Sequence, residues 1–342
     1  MYSSIRNILF YFPPEIAHEL CLKFLRFIPS GMFTRPKNNP INVMGIEFPH
    51  RIGLAAGFDK NAEYLDSLSK LGFSFIEVGT VTLNPQVGNP KPRLFRLPHE
   101  EAIINRMGFN NFGVDVLVEN IKKSSYQGIL GVNIGKNKNT SLARAADDYM
   151  ICLQKVYPYA SYVTINISSP NTSELRKLQG TQYLGDLLKK LRQEQLELAN
   201  RYNRYVPLVL KISPDESDEV LKNIVEMVLK NKISAIIATN TSVSRANISN
   251  CKYKNEIGGL SGRPIIDNST STLRTIKKLV GSDVGLIGSG GINSITDAKA
   301  KIEAGAEILQ LYTGLIYHGP NLIIELCKAL ARLSHQNLIN KA

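Results

Sequence analysis

A cluster of small polar residues stands where an apolar run ends, in the stretch Asn166-Ile167-Ser168-Ser169-Pro170-Asn171-Thr172. The alternating run from Tyr162 to Ile167 predicts a strand that leads into this cluster. Each polar group at a buried strand end needs a hydrogen-bond partner, because an unmade bond costs about 1–3 kcal/mol. A polar turn around Pro170 would also explain one isolated stretch of this kind. The recurrence of polar strand ends along the chain favours a ligand site instead.

Short apolar runs alternate with longer amphipathic stretches from residue 50 onward. This alternation predicts strands and helices that build a parallel sheet. Eight such units indicate an α/β fold, a closed (β/α)8 TIM barrel, whereas a doubly wound open sheet is the competing arrangement. The runs are Arg51–Ala56, Phe73–Gly79, Ile129–Ile134, Tyr162–Ser168, Val206–Ile212, Ser234–Thr239, Val284–Gly288 and Glu307–Leu311. The proline-rich segment from Thr80 to Gln127 is predicted to fold over the barrel mouth.

Nearly every predicted strand is followed by residues that can form hydrogen bonds, carry charge or let the backbone approach a ligand. The carboxyl ends of barrel strands are where active sites are built, so these residues are expected to converge. They are Gly57-Phe58-Asp59-Lys60, Gly79-Thr80, Asn133, Asn166 with Ser169, Lys211, Asn240-Thr241, Gly290-Gly291 and Tyr312-Thr313-Gly314.

Glycines near the last two strands indicate a phosphate site. The stretch Gly288-Ser289-Gly290-Gly291-Ile292 and Gly314 can bring backbone N–H groups to an anion, and Gly262 adds a further amide. A helix predicted to begin near Asn293-Ser294 would add favourable potential at its N-terminus. Phosphate binding after strands seven and eight recurs in barrels.

The remaining polar groups suit a flat heterocycle with carbonyls and ring N–H groups. Asparagine offers a donor and an acceptor in one plane, and five asparagines are candidates: Asn105, Asn133, Asn166, Asn171 and Asn240. Lys60 and Lys211 add positive charge. No histidine, paired carboxylate or metal cluster follows a strand, which argues against hydrolysis. The pattern favours a phosphorylated redox cofactor with a small planar anion.

The composition and net charge of the chain limit the kinds of molecule that it can bind. The 342 residues, 43% of them hydrophobic, suffice for one large domain or two small ones. The formal net charge of +12 is compatible with nucleic acid, anionic lipid, anionic ligands or a generally basic surface. Scattered basic residues and the absence of a nucleic-acid motif argue against a dedicated nucleic-acid binder. The four cysteines, Cys21, Cys152, Cys251 and Cys327, lie far apart without metal spacing, which indicates a reducing, cytosolic setting.

The first 28 residues are predicted to form two short amphipathic helices. Met1 to Phe12 is apolar with one arginine, Pro13-Pro14 then breaks it, and apolar residues recur at helical spacing from Ile16 to Ile28. The segment is too short and too charged to span a bilayer, and it lacks a signal-peptide cleavage site. Helices lying on a membrane surface fit this pattern. A helical hairpin that packs on the core is the alternative.

Several motifs match one family in order and spacing. They are Ala55-Ala56-Gly57-Phe58-Asp59-Lys60, Glu77-Val78-Gly79-Thr80-Val81-Thr82, Asn105-Arg106-Met107-Gly108-Phe109-Asn110-Asn111, Asn166 to Thr172, and Gly288 to Ile292. Through them, residues 51–318 resemble the dihydroorotate dehydrogenases. These are FMN-dependent barrels that oxidise (S)-dihydroorotate to orotate in pyrimidine synthesis.

A serine in the Asn166–Thr172 loop resembles class 2 of this family, the membrane-associated, quinone-reducing type, whereas class 1 has a cysteine there. The amphipathic extension resembles the class 2 segment that forms the quinone entrance. The resemblance implies FMN as cofactor and ubiquinone or menaquinone as final acceptor. It also implies peripheral attachment to a membrane, on the cytoplasmic side of the inner membrane if the chain is bacterial. We expect a monomer without metal or nucleic acid.

The resemblance assigns roles to single residues. Ser169 matches the base that removes a proton from C5 of dihydroorotate while hydride passes from C6 to flavin N5, and Phe109 and Thr172 match the proton path. Substrate-binding positions are matched by Lys60, Asn105, Arg106, Met107, Gly108, Phe109, Asn166, Asn171, Asn240 and Thr241. FMN-contacting positions are matched by Ala56, Gly57, Thr80, Asn133, Asn166, Lys211, Thr239, Gly262, Gly291, Tyr312 and Thr313.

At the quinone tunnel, His18, Arg96 and Tyr312 match class 2 positions. The expected division is a helical membrane-associating and quinone-access segment over residues 1–35 and an FMN-binding barrel over residues 40–342. The chain departs from some relatives in the first helix and at Ile316, which leaves the preferred quinone tail open.

Three other functions compete with this interpretation. The first is a soluble class 1-like enzyme that reduces fumarate or NAD, against which Ser169 and the extension count. The second is a phosphosugar lyase that uses Lys211 as a Schiff-base amine. The third is a non-catalytic protein with a basic surface.

Overall fold

Helices and strands alternate along the computed structural model, which describes residues 2–172, 175–179, 181–249 and 252–339, without the side chains of 181–182 and 333–339. Met1 of the predicted extension, Cys251, and residues 173–174, 180, 250 and 340–342 of the predicted barrel domain lie outside the described residues.

The strands are short and mostly buried. They are β1 (Ile41–Val43), β2 (Ile46–Phe48), β3 (Ile52–Leu54), β4 (Phe75–Val81), β5 (Leu94–Leu97), β6 (Ala102–Asn105), β7 (Ile129–Ile134), β8 (Tyr162–Asn166), β9 (Leu208–Ile212), β10 (Ala235–Ala238), β11 (Gly259–Gly262), β12 (Gly285–Ser289) and β13 (Ile308–Leu311).

Two helices precede the first strand, and the others follow the barrel strands in turn. They are α1 (Tyr2–Phe10), α2 (Pro14–Leu25), α3 (Leu65–Leu68), α4 (Val114–Lys123), α5 (Ala145–Val156), α6 (Thr181–Tyr202), α7 (Asp218–Lys230), α8 (Ile266–Val280), α9 (Ile295–Glu303), α10 (Thr313–His318) and α11 (Asn321–Ile339). Short 3-10 helices cover Ser30–Met32, Ser69–Leu71, Pro98–Glu100, Leu142–Arg144, Leu175–Gln179 and Arg263–Ile265.

A closed parallel barrel is formed in the described chain by β3, β4, β7, β8, β9, β10, β12 and β13, in that cyclic order. Each of the predicted apolar runs supplies one of these strands, so the predicted (β/α)8 barrel is confirmed and the open sheet is wrong. The strands are buried on both sides because side chains fill the barrel and helices cover it. The bottom of the barrel is filled by rings such as Phe48, Phe75 and Tyr162.

The segment from Thr80 to Gln127 contributes two strands to a small antiparallel sheet that the sequence pattern did not predict. In this sheet β6 pairs with β5 on one side and with β11 on the other. The pairing sets Asn105, at the end of β6, opposite Gly259. Chain segments more than 150 residues apart therefore meet above the barrel mouth, where the proline-rich segment was predicted to fold.

Two helices precede the barrel, as predicted, and Pro14 is the first residue of α2. Hydrogen bonds fix them to the barrel: Tyr2 Oη donates to the Ile316 carbonyl at 2.7 Å, and Arg96 Nη1 donates to the Leu9 carbonyl at 3.2 Å. Large apolar side chains remain exposed on this segment, including Ile5, Ile8, Tyr11, Phe12, Ile16, Phe24, Phe27 and Met32. None of the described helices combines the length and apolarity needed to cross a membrane.

Candidate active site

A cavity lies at the carboxyl ends of the barrel strands, with about 1010 Å³ of empty space including its open mouth. Concave sites at this end of a barrel are where small molecules and cofactors bind. The predicted site residues that line it are Ala56, Gly57, Lys60, Thr80, Asn105, Met107, Gly108, Phe109, Asn166, Ser169, Asn171, Lys211, Thr239, Asn240, Thr241, Gly262, Gly291, Tyr312 and Thr313. The barrel thus brings together residues from all along the chain.

Ser169 lies just beyond the end of β8 and is buried. Its Oγ accepts a hydrogen bond of 3.3 Å from the Asn171 backbone N, which fixes the loop by a turn that Ser and Asn favour. The Asn171 side chain in turn donates to Asn105 Oδ1 at 3.1 Å. The hydroxyl therefore has a defined position beside two carboxamides that belong to separate segments.

A row of hydrogen bonds begins at the cavity floor and continues into the barrel interior. Asn240 Nδ2 donates to Asn166 Oδ1 at 3.2 Å, and Asn166 Nδ2 donates to Thr80 Oγ1 at 2.9 Å. Thr80 Oγ1 donates to Asn133 Oδ1 at 2.5 Å, and Asn133 Nδ2 donates to Glu77 Oε1 at 2.8 Å. Each asparagine donates through its side-chain NH2 group and accepts through its side-chain oxygen. The row therefore orients the groups that face the cavity.

Gly79 allows Thr80 to join this row. Its φ is +97°, and a Cβ there would lie 2.3 Å from the Asn133 carbonyl oxygen. Only glycine tolerates both the left-handed backbone and the close approach. The irregular pairing between Gly79 and Val81 turns Thr80 towards the cavity.

Two lysines line the cavity, Lys60 half-buried and Lys211 buried. Burial lowers the pKa of Lys60 to about 8, and its Nζ donates to the Gly57 carbonyl at 3.1 Å. Burial also lowers the pKa of Lys211, against the opposing charge of Glu77. Both ammonium groups are desolvated, so an anion in the cavity would be attracted strongly.

The glycine-rich end of the cavity is lined by Gly290, Gly291 and Thr313. Gly290 and Gly291 both have positive φ, of 96° and 82°, which places successive amides on one turn. The predicted helix begins at Ile295, but its N-terminus is occupied by its own side chains. Ser294 Oγ accepts from the Asp297 N, and Asp297 Oδ2 accepts from the Asn293 N at 3.0 Å. Its contribution to an anion site is therefore smaller than the sequence suggested.

Aromatic rings connect the N-terminal helices with the cavity. The His18 ring on α2 lies 5.0 Å from the Phe58 ring, and Phe58 lies 5.4 Å from the cavity residue Tyr312, both edge to face. Burial lowers the pKa of His18 to about 4 and raises that of Tyr312 to about 12. Both side chains are therefore neutral near pH 7.

Five of the predicted site residues lie outside the cavity wall: His18, Arg96, Arg106, Asn133 and Thr172. Asn133 is fully buried behind Thr80, while Arg96 binds the turn between α1 and α2. The Arg106 guanidinium pairs with Glu256 and lies over the Phe95 ring at 4.6 Å, so the structure does not bring it to the cavity.

Two polar residues inside the barrel were not singled out from the sequence. Glu77 is fully buried and accepts hydrogen bonds from Asn133, Tyr162 and Gln310. Gln310 lines the cavity, and its Oε1 is buried without a hydrogen-bond partner among the described residues. The available signal was a polar residue within an otherwise apolar strand, as in Phe75-Ile76-Glu77-Val78 and Ile308-Leu309-Gln310-Leu311.

The sequence model of the dihydroorotate dehydrogenase family matches residues 40–333. The chain belongs to the dihydroorotate dehydrogenase family. It is 57% identical over 330 residues to a dihydroorotate dehydrogenase (quinone) from Legionella pneumophila strain Lens, covering 96% of this chain and 99% of that one. It is 53% identical over 332 residues to a dihydroorotate dehydrogenase (quinone) from Acinetobacter baylyi, with the same coverage.

Solved structures of the dihydroorotate dehydrogenase family share the fold. A crystal structure of DHODH in complex with ferulenol from Eimeria tenella superposes with a TM-score of 0.89 at 36% identity, covering 95% of this chain and 93% of that one. The ligand-free enzyme from the same organism gives a TM-score of 0.86 at 37% identity, covering 95% and 96%. The likeness therefore extends over nearly the whole chain.

Quinone-dependent dihydroorotate dehydrogenases use FMN, and the cavity of this family member fits that cofactor. Lys211 and Gln310 present a buried ammonium and an unpaired buried oxygen, which suit a ring that carries carbonyls and N–H groups. The glycine-rich turn at the other end suits its phosphate. No cluster of three or more His, Cys, Asp or Glu side chains that could hold a metal exists in the described part of the chain.

Proposed function

We propose that this chain oxidises (S)-dihydroorotate to orotate with FMN and passes the electrons to a membrane quinone, in pyrimidine synthesis. The observation that carries the proposal is a cavity in which Ser169 lies among carboxamides and a buried lysine, at the end of a barrel that belongs to this family. The full-length similarity to quinone-dependent enzymes supports quinone over fumarate or NAD as the acceptor.

Four carboxamides from three parts of the chain bind the substrate in this proposal. Asn105, Asn166, Asn171 and Asn240 line the cavity and hold one another by hydrogen bonds, so their free donors and acceptors are oriented before substrate arrives. Lys60 attracts the carboxylate of dihydroorotate through its desolvated ammonium. Thr241, Met107 and Gly108 complete the wall.

Ser169 acts as the base that takes the proton from C5 of the substrate. A free serine hydroxyl is a poor base, so its fixed position and an exit for the proton must matter. Thr172 supports such an exit, because its Oγ1 is buried without a hydrogen-bond partner among the described residues. Phe109 lines the cavity nearby and limits access of bulk water. When bound, FMN supplies the acceptor for the hydride from C6.

Other residues hold the cofactor. Lys211 places positive charge beside the flavin ring, where it stabilises negative charge that develops on reduction. Thr80, Asn133 and Asn166 orient the ring edge through the row of hydrogen bonds. The remaining cofactor contacts are assigned to Ala56, Gly57, Thr239, Gly262, Gly291, Tyr312 and Thr313.

The quinone reaches the flavin between the N-terminal helices. His18, Phe58 and Tyr312 form edge-to-face contacts from α2 to the cavity wall, which gives an apolar path for a quinone ring. Arg96 supports the path by binding carbonyl groups of Leu9 and Phe10. Residues 1–35 form the quinone-access segment, and the barrel from residue 40 holds the other half-reaction.

Residues 1–35 also attach the chain to the membrane surface in this proposal. The exposed apolar side chains of α1 and α2 suit insertion at the lipid boundary, and nearby basic residues favour anionic headgroups. The chain then works as a peripheral monomer, on the cytoplasmic side of the inner membrane in a bacterial cell.

The test is steady-state dihydroorotate oxidation by purified protein with a short-tailed ubiquinone, fumarate or NAD as acceptor. Turnover with the quinone alone is expected. Turnover with fumarate or NAD and none with the quinone would support the class 1-like alternative. Colourless protein that borohydride traps on a sugar phosphate through Lys211 would support the lyase.

A further inference from the structure

Lys301 on α9 is a fully buried lysine that the proposed reaction leaves without a role. Its Nζ donates a hydrogen bond of 2.6 Å to Ser269 Oγ on α8. Among the described residues, the carboxylate that acts electrostatically on Lys301 is that of Asp297. That carboxylate instead accepts hydrogen bonds from Asn293 and Ser294, so the ammonium is held by a neutral hydroxyl.

The ammonium lies directly behind the glycine-rich end of the cavity. Ser269 Oγ is 3.0 Å from the carbonyl oxygen of Gly290, and Gly290 lines the cavity. Lys301 is therefore two hydrogen bonds away from the cavity wall, without reaching the cavity itself.

Burial of the Lys301 ammonium beside a neutral hydroxyl disfavours the charged form of this lysine. Burial lowers the pKa of Lys301 to about 7, because desolvation is not balanced by a paired carboxylate. Buried charges are ordinarily paired, and Lys301 forms no ion pair with any described residue. The anion that its charge favours is therefore a ligand in the adjacent cavity.

The N-terminus of α9, the helix that carries Lys301, does not supply the positive potential that an anion would need here. The Asp297 carboxylate binds the backbone N of Asn293 at the start of α9, and a negative charge at that end offsets the helix dipole. Lys301, behind Gly290, therefore supplies positive charge that the N-terminus of α9 does not.

We propose that Lys301 is a positioning residue that selects the phosphate end of FMN from behind the cavity wall. It supplies positive charge beneath the Gly290–Gly291 turn, and through Ser269 it holds the Gly290 peptide in place. The proposal rests on the proposed function, since it takes FMN as the ligand of this cavity.

The test compares FMN with riboflavin, which has the same ring and no phosphate. Apoprotein is titrated with each flavin, and binding is followed by quenching of flavin fluorescence. Lys301→Met should weaken FMN binding roughly tenfold or more, which corresponds to about 1.4 kcal/mol, and leave riboflavin binding unchanged. Lys299→Met, on the same helix with a partly exposed side chain, should change neither and is the matched control.

A second measurement separates this role from a structural one. Thermal unfolding of the apoprotein should occur at the same or a higher temperature in Lys301→Met, because an unpaired buried charge is removed. The additional stabilisation by saturating FMN should shrink, and that by riboflavin should not. Ser269→Ala, which removes the link to Gly290, should also reduce the preference for FMN over riboflavin.

Equal loss of FMN and riboflavin binding in Lys301→Met would overturn the proposal, as would an unchanged preference for FMN. If Lys301→Met does not fold, an unchanged preference in Ser269→Ala overturns it. Wild-type apoprotein that takes up neither flavin would overturn the proposed function itself, which distinguishes the two failures.

Discussion

Glu77 Oε1 accepts a hydrogen bond of 2.8 Å from Asn133 Nδ2, and this bond ties a fully buried carboxylate to the cavity floor. Tyr162 and Gln310 donate to its other oxygen at 3.0 and 2.6 Å. Lys211, on the cavity wall, feels the charge of Glu77. The carboxylate thus connects the packed barrel interior with the groups proposed to hold the flavin.

Glu77→Gln should therefore destabilise the fold. The substitution removes a charge that acts on Lys211 and turns one acceptor into a donor that faces other donors. A buried polar group left unsatisfied in this way costs about 1–3 kcal/mol. Urea unfolding of the apoprotein measures this change. Glu47→Gln on β2, where the side chain is exposed, is the control and should shift stability by less than about 0.5 kcal/mol. An equally small effect at Glu77 would mean that its charge is not coupled to the fold.

Binding of the product orotate should weaken as pH rises through about 8. Burial lowers the pKa of Lys60 to about 8, so the ammonium is present below that pH and roughly a tenth of it remains one unit above. Orotate is an anion, and its binding does not require proton transfer to Ser169. Its dissociation constant therefore reports the charge of Lys60 without the chemical step. Flavin absorbance changes measure it between pH 6.5 and 9. Lys60→Met should bind weakly with little pH dependence; an unchanged slope in that variant would assign the titration elsewhere.

His18→Ala should impair the quinone half-reaction alone. Loss of an edge-to-face ring contact costs about 0.5–1.5 kcal/mol, so the KM for quinone should rise roughly two- to tenfold. Since burial lowers the pKa of His18 to about 4, its imidazole stays neutral from pH 6 to 8 and adds no pH dependence there. His99→Ala, at an exposed position, is the control. Slower flavin reduction by dihydroorotate in His18→Ala would argue against the separation of the two sites.

Removal of residues 1–30 should weaken binding to anionic liposomes and impair oxidation of the reduced flavin by long-tailed quinones. The deleted segment carries the exposed apolar side chains of α1 and α2 and the proposed quinone path. Flavin reduction by dihydroorotate should persist, because the cavity residues lie in the barrel. Vesicle flotation and rapid-mixing kinetics measure the two effects. Unchanged quinone kinetics would contradict the quinone-access role.

The barrel was predictable from the sequence because its buried strands are short apolar runs separated by amphipathic helices. The run Ile129–Ile134, for example, matches β7 at both ends. The sheet of β5, β6 and β11 was not predictable, since its strands are four residues long and β11 joins from a distant segment. Pairing between distant strands depends on tertiary structure rather than on local pattern.

The residue types that line the candidate site were predictable from the sequence, but the buried residues that contact them were not. Polar strand ends such as Asn166 and Lys211 stand out from apolar runs. Glu77 and Lys301 lie within an apolar strand and an ordinary helix, and only the folded chain shows that both are fully buried beside the cavity. Burial and geometry, which no local pattern contains, give these residues their roles.

The role of Ser169 is tested most directly by single-turnover reduction of the bound flavin by dihydroorotate without oxygen or quinone. Ser169→Ala should retain FMN and reduce it roughly 10²–10⁴-fold more slowly than the unmodified chain, even at saturating substrate, because general-base catalysis contributes about that factor. Ser261→Ala, at another serine of the cavity wall, should keep a rate close to that of the unmodified chain. A normal rate of flavin reduction in Ser169→Ala would contradict the central claim, because another group would then take the proton.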